Sequence, residues 1–201
     1  MTIEFPRKLP VEALKILPWK NGGGVTTEIA AGPPRSDDQG WSWRVSVADV
    51  PATGPVSRVP GIDRTIAVIE GDGMDLRFED GRMVPLEPNQ PIDFAGDVAV
   101  DGILRTDPIR DFNVMTDRRH FSAVLKIGIG GDDVPCKIAK GGVLLIHVLD
   151  GEGSVVWGDG YSTAINQSET VIYDWAAEVS VSIAPGSRVA IVALEEATKC
   201  T

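Results

Sequence analysis

The chain has 201 residues, 43% of them hydrophobic, with 22 glycines and 14 prolines, which suits one large or two small packed domains and excludes a disordered polymer. The formal net charge of −10 argues against nucleic acid or an acidic membrane surface as partner. Binding either needs a basic stripe, and no run of Lys and Arg is longer than the pair Arg118-Arg119. No charged leader with an apolar run opens the sequence, and no apolar stretch reaches the roughly 18 residues of a membrane span. With only Cys136 and Cys200, no disulfide framework is indicated, and a cytoplasmic location is expected.

In chain order, residues 10–17 read as a short helical turn or an irregular strand. The stretch Trp19-Lys20-Asn21-Gly22-Gly23-Gly24 follows. Three glycines give a backbone that reaches positive φ and admits a close neighbour, at an entropic cost. Lys20 adds a cation and Asn21 two donors and an acceptor, so the stretch is either a plain turn or an anion cradle. Residues 25–30 read as a strand and 32–40 as a loop. Residues 41–48 alternate strictly: Trp41, Trp43, Val45 and Val47 share one face, and Ser42, Arg44, Ser46 and Ala48 the other. Further strands are predicted over 64–70, 74–79 and 98–104. Their spacing, with Gly, Pro, Asp and Asn between them, predicts an all-β sandwich or barrel.

The second half repeats the first. The turn Gly71-Asp72-Gly73 returns as Gly151-Glu152-Gly153, Asp80-Gly81 as Asp159-Gly160, and Asp97-Val98 as Glu178-Val179. The offsets (71 to 151, 80 to 159, 97 to 178) are 80, 79 and 81 residues. Three ordered matches at nearly one offset predict a duplicated unit. The boundary is expected near Arg118 to Ala123, giving an N-terminal barrel over 1–120 and a C-terminal barrel over 121–201.

With Pro185-Gly186-Ser187-Arg188 before the last strand, this repeat resembles a bicupin, two tandem cupin-like barrels or sandwiches packed together. Pro18-Trp19-Lys20-Asn21-Gly22-Gly23-Gly24-Val25-Thr26-Thr27-Glu28-Ile29 is similar to the signature of the HutD/Ves family. So are residues 43–48, 60–64, 94–97 and 110–115, in the family's order. The resemblance implies a cytoplasmic bicupin associated with bacterial histidine utilisation. It would bind a small carboxylate of the urocanate or formylglutamate type and limit flux.

Arg44 lies on the polar face of a strand whose other face carries tryptophan. If that face lines a barrel, its guanidinium needs a carboxylate: a ligand held by two parallel bonds, or Glu28 or Asp111. Ser46 shares the face, and Lys20 and Asn21 can close the mouth of the same cavity. Asp111, Asn113 and Met115 share a face of a later strand, and inward-pointing polar side chains must find partners. Arg64 is either a ligand contact or an ion pair with its neighbour Asp63.

His120 and His147 fall in different halves and no His-x-His pair exists, so no metal and no cofactor are expected. His147 is read as a satisfied interior histidine of the second barrel and His120 as exposed. For catalysis only Glu28 and Asp111 offer themselves, as an acid–base pair. The predicted ligand site is therefore Lys20, Asn21, Gly22, Gly23, Gly24, Glu28, Arg44, Ser46, Arg64, Asp111 and Asn113. The leading expectation is a non-catalytic binder. The alternatives are a metal-independent enzyme acting on a related acid, and a homodimeric scaffold to which the apolar run Val189 to Leu194 contributes.

Overall fold

The computed structural model describes residues 6–19, 23–33, 40–106, 108–158 and 160–197. Apart from one 3-10 turn at Val11–Ala13, the regular structure among them is β-strand. The strands are β1 (Arg7–Leu9), β2 (Lys15–Pro18), β3 (Val25–Ala31), β4 (Trp43–Val50), β5 (Gly54–Val56), β6 (Ile62–Glu70), β7 (Met74–Phe78), β8 (Met83–Leu86), β9 (Ile92–Ala95) and β10 (Val100–Leu104). They continue as β11 (Ile109–Asp117), β12 (Phe121–Ile129), β13 (Asp133–Ile138), β14 (Val143–Asp150), β15 (Glu152–Trp157), β16 (Tyr161–Asn166), β17 (Thr170–Tyr173), β18 (Ala177–Ile183) and β19 (Arg188–Glu196). The strands expected over 25–30, 41–48, 64–70, 74–79 and 98–104 are all present, displaced by one or two residues at their ends. The ambiguous 10–17 segment is the 3-10 turn followed by β2.

Two compact units result: residues 14–123, and residues 124–197 together with 6–13. The N-terminal piece joins the second unit because β1 pairs antiparallel with β17. The first unit holds a six-stranded sheet, β2-β3-β4-β11-β6-β9, and a four-stranded sheet, β5-β10-β7-β8. The second holds β12-β19-β14-β17-β1 and β13-β18-β15-β16. Adding eight to each label of β4-β11-β6-β9 gives β12-β19-β14-β17, and β5-β10-β7-β8 becomes β13-β18-β15-β16. The duplication read from turn residues is thus a duplication of topology, and the fold is a bicupin.

Each unit has its own core between its two sheets. In the first, Ile66, Val68 and Ile109 of one sheet meet Met74, Leu76, Phe78, Leu86 and Val100 of the other. In the second, Leu144, Ile146, Val148, Val171 and Ile191 meet Val155, Ile165, Val179, Val181 and Ile183. The run from Val189 to Leu194 lies in β19, between β14 and β12, where Val189, Ile191, Val192 and Leu194 are buried. It is a central strand within one chain.

The repeated turn has a steric basis. Gly71 (φ +96°) and Gly151 (φ +73°) both occupy the left-handed region. A Cβ on Gly71 would stand 2.7 Å from Ile109 Cγ2, and one on Gly151 would stand 2.0 Å from Ser187 Oγ. Ser187 Oγ accepts the Glu152 N–H at 3.0 Å, so it is held where the Cβ would go. Gly81 also has positive φ (+88°), but a Cβ there meets nothing within 4 Å. Gly81→Ala should therefore lose only the left-handed conformational term, about 1–2 kcal/mol. Gly71→Ala and Gly151→Ala should lose about 1–3 kcal/mol more from overpacking. Urea unfolding of the three variants checks the order; equal losses would remove the steric reason.

Candidate functional site

Three rows of side chains cross the inner face of the six-stranded sheet. Directly paired residues share a face, so the register defines the rows. The first is Thr26, Ala48, Asp111 and Val68. The second is Glu28, Ser46, Asn113, Ile66 and Ile92. The third is Ala31, Arg44, Met115, Arg64 and Phe94. Ile66 and Val68 carry this face into the apolar core. Trp43, Val45, Val47, Phe112 and Val114 occupy the opposite face and are also buried. The central strands are thus buried on both faces, and the polar rows hold charge inside the unit.

Arg44 Nε donates to Glu28 Oε2 at 2.9 Å, with the two side chains 18% and 13% exposed. Lys15 Nζ, 72% exposed, reaches Glu28 Oε1 at 3.3 Å. Of the partners expected for Arg44, Glu28 is therefore the one bonded. Arg64 is buried and does not pair with Asp63, whose partner is Arg118 at 2.9 Å. Arg64 Nη1 instead donates to the Ser57 carbonyl at 3.0 Å and Nη2 to Asn113 Oδ1 at 2.6 Å. Its guanidinium carbon lies 5.5 Å from the centroid of the Phe94 ring, within cation–π range. Arg64 Nε is buried and has no hydrogen-bond partner among the described residues. Asn113 Nδ2 donates to Asp111 Oδ1, so Asn113 bridges Arg64 and Asp111. Ser46 lies buried between Glu28 and Asn113 in its row.

The glycine stretch connects β2 and β3, two strands with no counterpart among the described residues of the second unit. Lys20, Asn21 and Gly22 lie outside the described residues; Gly23 is exposed. A Cβ on Gly24 would stand 2.6 Å from the Asp49 carbonyl and 2.9 Å from the Trp19 ring, so close approach explains this glycine. Trp19 closes the turn by donating its N–H to the Gly24 carbonyl at 2.9 Å and its indole N–H to Thr26 Oγ1 at 2.8 Å. Thr26 belongs to the row of Asp111, which brings the described end of the loop to that end of the polar rows.

Phe94 and Lys15 are site neighbours that sequence reasoning did not assign. Phe94 lay in a block of the family resemblance, but only the pairing of β6 with β9 puts it beside Arg64. A cleft of about 320 Å³ reaches Arg64 and Phe94, lined also by Thr65, Asp93 and Thr116. Those three lie on the opposite face of the sheet, whereas Arg64 and Phe94 belong to the third inner row, so the cleft is lined from both faces. Among the described residues no group of three His, Cys, Asp or Glu is placed to hold a metal ion. His120, 53% exposed, bonds to Asp117 at 2.9 Å. His147 is buried, with Nδ1 2.8 Å from Thr170 Oγ1. It faces away from Leu144, Ile146 and Val148, so it is a buried histidine on the face opposite the second core, not a lumen residue.

Burial pushes the Asp111 carboxyl up to about 7, against the opposing influence of Arg64 and of the Asn113 hydrogen bond. Burial likewise lowers Arg64 to about 10, with Asp111 opposing and Arg44 adding to the fall; it stays cationic at neutral pH. An unfolded Asp ionises near 4, so the folded protein resists ionisation of Asp111. The stability that its protonated form lends is present below about pH 4 and is lost as pH rises through about 7. Asp111→Asn keeps an acceptor for Asn113 and removes the ionisation. It should stabilise the protein by about 2–4 kcal/mol at pH 8 and by much less at pH 4.5. Urea unfolding at the two pH values checks this; an equal effect at both would show that Asp111 is ionised in the fold at low pH.

The sequence matches the HutD family over residues 12–191. It is 38% identical over 110 residues to an uncharacterised 21.2 kDa protein from the hutC 3′ region of Pseudomonas putida, covering 55% of this chain and 57% of that one. It is 31% identical over 167 residues to the protein Ves of Escherichia fergusonii, covering 78% and 83% of the two chains. The structure of HutD from Pseudomonas fluorescens SBW25, in a formate condition, superposes with a TM-score of 0.79 at 29% identity over 96% of this chain and 99% of that one. A cupin 2 conserved barrel domain protein from Leptotrichia buccalis superposes with a TM-score of 0.55 at 13% identity, over 85% and 88% of the chains, which speaks to the fold alone. No helix among the described residues is long and apolar enough to cross a membrane. A family match over nearly the whole chain, agreeing with the duplicated topology and with the solved relative, makes this chain a member of the HutD family.

Proposed function

We propose that the protein binds a small carboxylate at the polar rows of its first unit and thereby modulates histidine utilisation. The observation that carries this reading is the imbalance at Arg64. A buried guanidinium has both terminal nitrogens engaged by neutral acceptors, and its Nε is unmet among the described residues. A buried cation without a bonded counter-charge is costly unless an anion completes it. Arg44, on the same row, is partnered by a single carboxylate and retains further donors. Two guanidinium groups above an apolar core suit a carboxylate with a short organic body. The name of one relative, a protein of the hutC 3′ region, supports the link to histidine utilisation. Urocanate and formylglutamate, both small acids of histidine breakdown, are the candidate ligands.

A second reading is favoured by Asp111, whose carboxyl near 7 suits general acid–base work on a bound acid. It calls for turnover of the candidate acids by NMR, abolished in Asp111→Asn. Unchanged substrate at high protein concentration returns the protein to the binding class.

For the binder, saturating formylglutamate or urocanate should raise the melting temperature. At a hundredfold excess over Kd the stabilisation is about 2.7 kcal/mol, which is several degrees for a unit of this size. The Arg44→Ala variant should keep the fold by circular dichroism and lose the shift. Absence of a shift in the unsubstituted protein with both acids would reject this ligand class.

A further inference from the structure

We propose that the site takes up its carboxylate ligand together with one proton, which lodges on Asp111. This rests on the binding reading above and adds its regulation by pH. The charges on the polar rows support it. Arg44, Arg64 and Lys15, which reaches Glu28 at 3.3 Å, supply three positive charges, and Glu28 and ionised Asp111 supply two negative ones. A bound dicarboxylate such as formylglutamate would leave an excess negative charge at the site, whereas protonation of Asp111 restores balance.

The geometry singles out Asp111 as the group that yields. Glu28 has two cations in contact, Arg44 at 2.9 Å and Lys15 at 3.3 Å, so its charge already has partners. Asp111 is buried and accepts its bond from the neutral amide of Asn113. Arg64, the nearest guanidinium in the network, spends its Nη2 on the other end of that amide. Ionised, Asp111 would present lone pairs to an incoming carboxylate; protonated, it offers an O–H donor. The proton comes from solvent and forms an O–H bond on the Asp111 carboxyl; no other bond changes.

Toward Asp111, β4 presents Ala48, Ser46 and Arg44, and β6 presents Val68, Ile66 and Arg64. β3 adds Glu28. The facing sheet presents Met74, Leu76, Leu86 and Val100, all apolar. Its charged residues are paired with one another, Arg77 with Asp101 at 2.8 Å and Arg105 with Asp75 at 3.0 Å. Asp49 on β4 raises Asp111 further by its charge, and is itself paired with Arg110 at 2.9 Å. The unit's histidine, His120, sits at the β11–β12 turn against Asp117.

Isothermal titration of the full chain with formylglutamate tests the proposal, since the carboxylates of this probe stay ionised from pH 6.5 to 8.5. Affinity should fall by about tenfold or more across that range, approaching tenfold per pH unit at the alkaline end. Titrations at pH 8 in HEPES and in Tris, whose ionisation enthalpies differ, should return close to one proton taken up per ligand. Asp111→Asn should abolish both effects, giving a flat profile whatever its Kd. Binding with a constant Kd and no proton uptake overturns the coupling and leaves the binding reading intact. Binding at no pH overturns both. A pH dependence that persists in Asp111→Asn overturns the assignment of the proton to Asp111. If that variant does not fold, the proton count on the unsubstituted protein decides.

Discussion

The antiparallel placement of β11 between β4 and β6 is the constraint on which the first unit depends. It sets Asn113 opposite Ser46 on one side and Ile66 on the other, and so puts two arginines at one end of a buried polar row. An arginine in an apolar interior is tolerable only when its donors are met. Ser57, Asn113 and Glu28 accept three of them, and Arg64 Nε has no partner among the described residues. The same register places Phe112 and Val114 on the other face, which is equally buried. β11 therefore cannot shift by one residue without exchanging charged and apolar sides.

The duplication clarifies which parts of this arrangement serve the fold and which do not. The four strands β4-β11-β6-β9 have equivalents β12-β19-β14-β17, yet the second core holds Leu144, Ile146, Val148, Val189 and Ile191 where the first has its polar rows. One frame thus accommodates either an apolar filling or a charged one. The charged filling carries a stability penalty at Asp111. It is accompanied by β2, β3 and the glycine stretch, which the frame itself does not require. Replacing buried ionic groups by well-packed apolar ones is often neutral or stabilising, so stability alone does not account for the charged filling.

Asp111 and Glu28 show how environment separates two chemically similar groups. Both are carboxylates on the inner face of one sheet, one row apart. Glu28 has Arg44 and Lys15 in contact. Asp111 is buried, and neither the charge of Arg64 nor the Asn113 hydrogen bond offsets its loss of water. Burial is enough to leave a carboxylate of this sheet poised near neutral pH despite a guanidinium in its network.

The sequence by itself determined the strands, the duplicated turn and the polarity of each strand face. These follow from period-two alternation and from glycines that must be glycine, both of which are local properties of the backbone. It also placed Arg44, Ser46, Asp111 and Asn113 on faces that do meet. Only the tertiary structure decided which carboxylate Arg44 binds, that Arg64 turns from Asp63 to Asn113, that Phe94 underlies it, and that His147 faces away from its core. Each of these is a contact between strands far apart in the chain, set by register and sheet order. In β6 and β9 no local pattern reveals that Arg64 and Phe94 are opposite one another. Burial decided the rest: alternation says that Asp111 points inward, but only the packed sheets remove enough water to shift its ionisation.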